Sequence, residues 1–268
     1  GYPLRTALLI LAMSIGVAAV VTLTALGDGA RRFVINEFSA LGSNLVIVLP
    51  GRSETRGFNP ANAITGTPRD LTIDDAQSLG RLPTVRRVAP LIIGTSEISA
   101  GGKLREVMIA GTTSEYAEVR RLAMAQGRFL PEEDWSRGSP YVVLGATVRN
   151  DLFGSEPAIG RLVRMGDRRF RVIGVLNPIG TGLGMNSDEI AIVPVSLAQA
   201  MFNSNTLFRI LIEARHRDAI EPAKAQVLKQ LTERHEGEED VTVITQDAVL
   251  ATFDRLLGAL TFGVAGIA

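Results

Sequence analysis

From Thr6 to Gly27 the chain runs for 22 residues without a charge, rich in Leu, Ile, Val and Ala. A helix of that length spans the hydrocarbon of a bilayer while satisfying all its own backbone groups. A secretory signal has a shorter apolar core ahead of a small-residue cleavage site, for which Ala25-Leu26-Gly27 is a weak match and Arg5 a thin basic flank. A buried helix of a soluble protein is the third reading. The length favours a retained span. Leu256 to Ala268 adds 13 uncharged residues, which read as the start of a second span. The roughly 228 mostly polar residues between the two runs form a loop too long for the positive-inside rule to orient.

The loop has its own organisation. Past Gly27 an amphipathic stripe of Ala30, Val34, Phe38 and Leu41 carries the first helix into a stalk. Val249, Phe253 and Leu256 recur at helical spacing ahead of the second span, so the two stalks are expected to pack antiparallel, with Val34 level with Val249. Asn44 to Leu49 reads as a strand, and Pro50 to Pro68 as a long loop with no apolar period. Thr72-Ile-Asp-Asp75 is a capping box opening a short helix. Arg87 to Ser99 and Lys103 to Thr112 form a hairpin about Gly101-Gly102. Short strands follow at Tyr141 to Leu144, Leu162 to Met165, Phe170 to Leu176 and Ile190 to Val193. A helix lies at about Ala146 to Phe153, and a second box, Ser196-Leu-Ala-Gln199, starts another. Leu207 to Glu213 is a strand, Asp218-Ala-Ile-Glu221 caps a further helix, and Val241 to Ile244 is the last strand. The pattern is α+β: one unit assembled from both ends of the loop, with a β-rich insertion between.

Composition and motifs exclude most chemistry. Lys plus Arg equals Asp plus Glu at 28 each, so no net field draws the chain to nucleic acid. Without cysteine there is no disulfide, thiolate metal site or thiol nucleophile. No Walker A run occurs, so nothing in the sequence cradles ATP phosphates. His216 and His235 lack the paired spacing of a zinc site, and no serine has the context of a nucleophile elbow. No catalytic, metal or cofactor residues are assigned. Gly180, Gly182, Leu183 and Met185 mark a glycine-rich segment that reads as a loop tip or a partner-docking loop. Arg164, Arg169 and Arg171 alternate with apolar residues on one exposed strand face, either solvated or anion-binding.

Leu41-Gly-Ser-Asn44 followed by Leu45 to Gly51 resembles the segment after the first membrane helix of MacB-type ABC-transporter permeases, of the FtsX-like superfamily. Further similar landmarks follow in order: Leu71 to Asp75, Val88 to Pro90, Gly127 to Phe129, Val142 to Gly145, Leu152 to Gly154, Ile159-Gly160, Val172 to Val175, Val193-Pro194 and Arg234-His235. The resemblance implies a permease with a large periplasmic domain, anchored in the bacterial inner membrane. It implies a dimer, homomeric or with a paralogous permease, driven by a cytoplasmic ABC ATPase that holds ATP and Mg. A periplasmic adaptor and an outer-membrane exit duct are further implied partners. The chain itself would be no enzyme but a mechanical relay for efflux or export, with membrane lipid around its helices. Its expected parts are a span at 6–27, a stalk at 28–42, and a porter-like lobe from 43–118 and 207–246. A β-rich inserted lobe at 119–206, a second stalk at 247–255 and a second span from 256 complete it. The tight turn at Met165-Gly-Asp167, where lipoprotein-extracting relatives can carry a long hairpin, weakens a lipoprotein cargo. An extracytoplasmic sensor domain shares the same plan of span, domain and span and is the alternative.

Overall fold

The computed structural model describes residues 3–41, 44–51, 70–182 and 185–267. The loop expected between Pro50 and Pro68, apart from its first two residues, lies outside them. Helix α1, Pro3–Leu41, is 39 residues long, about 58 Å at 1.5 Å per residue. Its Thr6–Gly29 segment has a mean hydropathy of 2.4, and its most apolar stretch is left uncovered by the rest of the chain. Leu9, Met13 and Ile15 stand more than half exposed.

Four strands make the membrane-proximal sheet: β1 (Leu45–Pro50), the first half of β2 (Val85–Ala100), β11 (Arg209–Ala214) and β12 (Val241–Thr245). Their order is β12-β1-β11-β2, antiparallel throughout. With helices α2 (Ile73–Leu79) and α6 (Ile220–Arg234) in the two crossovers, the sequence β-α-β, β-α-β is the split βαβ, or ferredoxin-like, arrangement. Alternation decides the faces. Val46, Val48, Val88, Ile210 and Ile212 point to α2 and α6, meeting Ala76, Leu79, Ala223, Val227 and Leu231. Leu45, Ile47, Ala89, Leu91 and Leu211 point the other way, toward Tyr116 and Val119 of the short helix α3, Glu115–Val119. Because β2 is covered on both faces from Val88 to Ile92, all five of those residues are buried.

The second half of β2 leaves this sheet for another. It pairs β3 (Lys103–Thr112), as expected of the Gly101-Gly102 hairpin, whose two glycines have φ of +57° and +80°. Beyond β3 the order continues through β10 (Ile190–Pro194), β5 (Tyr141–Leu144) and β7 (Arg168–Leu176) to β4 (Met124–Gly127). Strand β6 (Leu162–Met165) pairs both β7 and β2, which closes a six-stranded ring, while β4 extends from β7. A closed ring has no exposed edge, and inward residues fill it: Ile98, Ile109, Leu144, Met165, Phe170 and Val172 are fully buried. Helix α4, Ala146–Phe153, lies against the ring, and α5, Val195–Phe202, packs over β2 and β3. The changeover in the pairing of β2 falls near Ile92.

The Thr72 box forms as read: Asp75 N donates to the Thr72 hydroxyl and Thr72 N donates to the Asp75 carboxylate. The other two boxes do not. Strand β10 runs straight into α5, whose N-cap is Pro194, so Ser196 already lies inside the helix and its buried hydroxyl finds no partner. Asp218 sits within a 3-10 turn, Arg217–Ala219, that leads into α6 without a side-chain cap. The first of these helices starts at Val195, ahead of its motif, and the second at Ile220, one residue later than an Asp218 cap would place it.

Candidate coupling site at the helix pair

The last helix, α7, Gln246–Ile267, follows β12 with no intervening residue. Thr245, fully buried, accepts a hydrogen bond from Ala248 N through its hydroxyl, which fixes the exit angle as an N-cap does. In the β1–β12 pair Val46 lies opposite Thr245. The start of β1, just past the end of α1, is thus beside the start of α7. Neighbouring strands lie about 4.8 Å apart, so two antiparallel helices leave the sheet side by side from one end. They remain in contact, and Arg31 Nε lies 4.0 Å from the Asp254 carboxylate. Below the sheet, Arg217 and Asp247 are likewise 4.0 Å apart.

Of the residues anticipated at this site, Val249 is partly buried and packs against the core layer that contains Leu45 and Ile47. Ala30, Val34 and Phe38 are helical in α1 and Phe253 in α7, but their side chains lie outside what the structure describes. Counted three residues toward the sheet on each helix from the Arg31–Asp254 pair, Val34 comes level with Ala251. Sequence reasoning missed the ion pair because neither residue belongs to the apolar stripes.

The glycine-rich segment is a two-stranded ribbon of β8 (Thr181–Gly182) and β9 (Met185–Asn186). Leu183 lies outside the described residues. Gly180, at φ +76°, donates its N–H to Asp188 Oδ2 at 3.0 Å, and Ile179 N donates to Oδ1 at 2.8 Å. One carboxylate so pins the base of the segment. Arg164 and Arg169 are directly opposed in β6 and β7, and both are exposed, as is Arg171.

The membrane-proximal lobe is tied by a buried polar chain. Asp75 accepts from Arg234 Nε at 2.7 Å, and His235 stands between Asp75 (3.4 Å) and Asp240 (2.5 Å). His235 is 2 % exposed and Asp75 3 %. The two carboxylates flank the imidazole from opposite nitrogens and do not converge, and among the described residues no His, Asp and Glu cluster is arranged to hold a metal. Burial raises the Asp75 pKa, but the hydrogen bonds from Arg234, Thr72 and His235 outweigh it and hold the carboxyl below the usual range. Arg87 bridges Glu213 on β11, at 2.7 Å, and Glu118 of α3.

Fold and helices together define a two-lobed α+β domain on an N-terminal helix of membrane-spanning length. Residues 6–230 match the model of the MacB-like periplasmic core domain, and the chain belongs to that family. It is 30% identical over 268 residues to the pyoverdine export ATP-binding/permease protein PvdT of Pseudomonas entomophila, covering 98% of this chain and 39% of that one. It is 33% identical over 269 residues to the macrolide export ATP-binding/permease protein MacB of Rhodospirillum rubrum, covering 98% and 40%. The chain thus spans about two fifths of the length of these curated relatives. The crystal structure of the periplasmic region of MacB from Actinobacillus actinomycetemcomitans superposes with a TM-score of 0.69 at 21% identity, covering 82% of this chain and 97% of that one. That match bears on the fold.

Proposed function

We propose that this chain is the periplasmic domain, with its flanking helices, of an ABC-transporter permease subunit in the inner membrane. Its task is to carry ATP-driven movement to the periplasmic side and so drive efflux. The observation that carries this reading is that adjacent strands β1 and β12 adjoin the paired helices α1 and α7, β12 running into α7 with no intervening residue. A displacement of α7 reaches the sheet without a linker to absorb it. The sheet passes it on to the closed ring through β2, a single strand shared by both. ATP and Mg would reside on a cytoplasmic ABC ATPase. A second permease copy or paralogue would complete the transporter, with a periplasmic adaptor and exit duct as further partners. The family membership favours this over a sensor domain.

The test is a reversible tie between the helices. In the assembled transporter, a disulfide joining α1 to α7 in the segment between Arg31 and Leu41 should leave ATP hydrolysis running while export falls at least tenfold, and reduction should restore export. Export that continues unimpaired in the bridged transporter would show that the helix pair does not act as the relay.

A further inference from the structure

Among the described residues, Arg120 and Arg209 are the buried arginines, 3 % and 8 % exposed. Arg120 closes α3 as its C-cap, and Arg209 opens β11 opposite Leu91 on the sheet face that α3 covers. Among the described residues neither has an ion pair or a side-chain hydrogen-bond partner. Nε and Nη1 of Arg120 and Nε of Arg209 are sealed from solvent with no acceptor. Burial of this kind disfavours a charge unless something pairs with it. Aromatic rings offset part of the loss: Arg120 Cζ lies 5.8 Å from the Tyr116 ring centroid, and Arg209 Cζ lies 4.5 Å from that of Phe208. A ring face, however, gives an N–H no lone pair. The nearby acids are committed, since Glu118 and Glu213 both bind Arg87. Helix α3, which Arg120 closes, packs against β11, which Arg209 opens, and desolvation pulls the Arg209 guanidinium down to about 10, with Tyr116 acting against it and the Arg120 charge acting with it.

Two adjacent buried forks with unused N–H groups match an oxyanion that takes several donors at once. We propose that Arg120 and Arg209 form a receptor for a small oxyanion of the phosphate class. The anion would accept from the N–H groups that lack an acceptor, Nε and Nη1 of Arg120 and Nε of Arg209. Two positive charges match a dianion, and the burial of both side chains suits a free ion better than a group on a polymer. A lipid headgroup is the other source of a phosphoryl oxygen, but position argues against it. Arg209 is four residues along β11 from Glu213, which lies opposite Leu45, and twelve more helical residues separate Gly29 from Leu41. At strand and helix rises this puts the pair about 30 Å from the apolar segment. The bound ion would cement α3 onto the membrane-proximal sheet.

The test is calorimetric titration of inorganic phosphate into the full chain in detergent micelles, at constant ionic strength set with chloride. One saturable site is expected, with affinity at least tenfold lower in Arg120→Gln and in Arg209→Gln. Millimolar phosphate should raise the wild-type melting midpoint by several degrees and leave both variants unmoved. Arg209→Met should melt no lower than wild type in chloride alone, because it removes an unpaired buried charge. If a glutamine variant does not fold, Arg209→Lys keeps the charge, loses the fork and should still lose tenfold. A short-chain phosphatidylglycerol should not compete; if it matches phosphate, the ligand is a headgroup and the free-ion assignment is overturned. No saturable phosphate binding by the wild type, or equal binding by the variants, would overturn the site itself.

Discussion

Val46 of β1 lies directly opposite Thr245 of β12, and through that one pairing the two ends of the folded domain become neighbours. Residues nearly two hundred positions apart are held at strand spacing, and each is joined within a few residues to a helix of the pair. The pairing is antiparallel, so the helices must leave in the same direction from the sheet while running oppositely along the chain.

The helix register gives the first prediction. Five residues on a helix turn the side chain by about 140°, so if Asp254 faces α1, Val249 is rotated away from it, in keeping with its packing against the layer of Leu45 and Ile47. Ala251, three residues from Asp254, is only about 60° from it around the helix. With no native cysteine, Val34→Cys with Ala251→Cys should oxidise at least fivefold faster than Val34→Cys with Val249→Cys, in non-reducing gels under mild oxidant. Faster closure of the Val249 pair would place the register two residues away from that set by Arg31 and Asp254. The ion pair itself is about half exposed and should contribute no more than a few tenths of a kcal/mol.

Asp75 should dominate the acid sensitivity of the membrane-proximal lobe. Its folded pKa lies below the unfolded value near 3.8, so its contribution is fully present above about pH 4 and is lost as pH falls through the folded pKa. Asp75→Asn should cost about 2–4 kcal/mol at neutral pH, since it weakens the cap and leaves Arg234 and His235 short of a charged acceptor. Denaturant melts should show the wild type and the variant converging below pH 4. A difference that stays constant from pH 7 to pH 2 would mean that the charge of Asp75 contributes nothing.

Gly111 offers a packing test. A Cβ there would meet Ala198 Cβ of α5 at 2.1 Å, so Gly111→Ala should cost about 1–3 kcal/mol by forcing helix and strand apart. Ala198→Gly, which clears the space, should recover part of that loss in the double variant, although glycine costs up to about 1 kcal/mol in a helix. Thermal melts of the two single variants and the double measure this. Strict additivity would show that α5 does not bear on Gly111.

What the sequence determined by itself was local. The uncharged run at Thr6 to Gly27 required a helix because only an internally bonded backbone is stable without water. The Thr72 to Asp75 box fixed a helix start with two short-range hydrogen bonds, and Gly101-Gly102 fixed a hairpin by permitting positive φ. The order of family landmarks along the chain carried the assignment. What only the tertiary structure decided was which elements meet. Alternation along β6 marks an inner and an outer face but carries no record of partners, so its pairing with both β2 and β7, and hence the closed ring, was not legible. The joining of Asp75 to His235, 160 residues apart, depends on α2 and α6 sharing one sheet face. The isolation of Arg120 and Arg209 depends on α3 covering the other. Periodicity reports how a segment divides between apolar and polar surroundings. It cannot report which distant segment supplies them, because many partners bury the same stripe equally well and the chain's global packing selects among them.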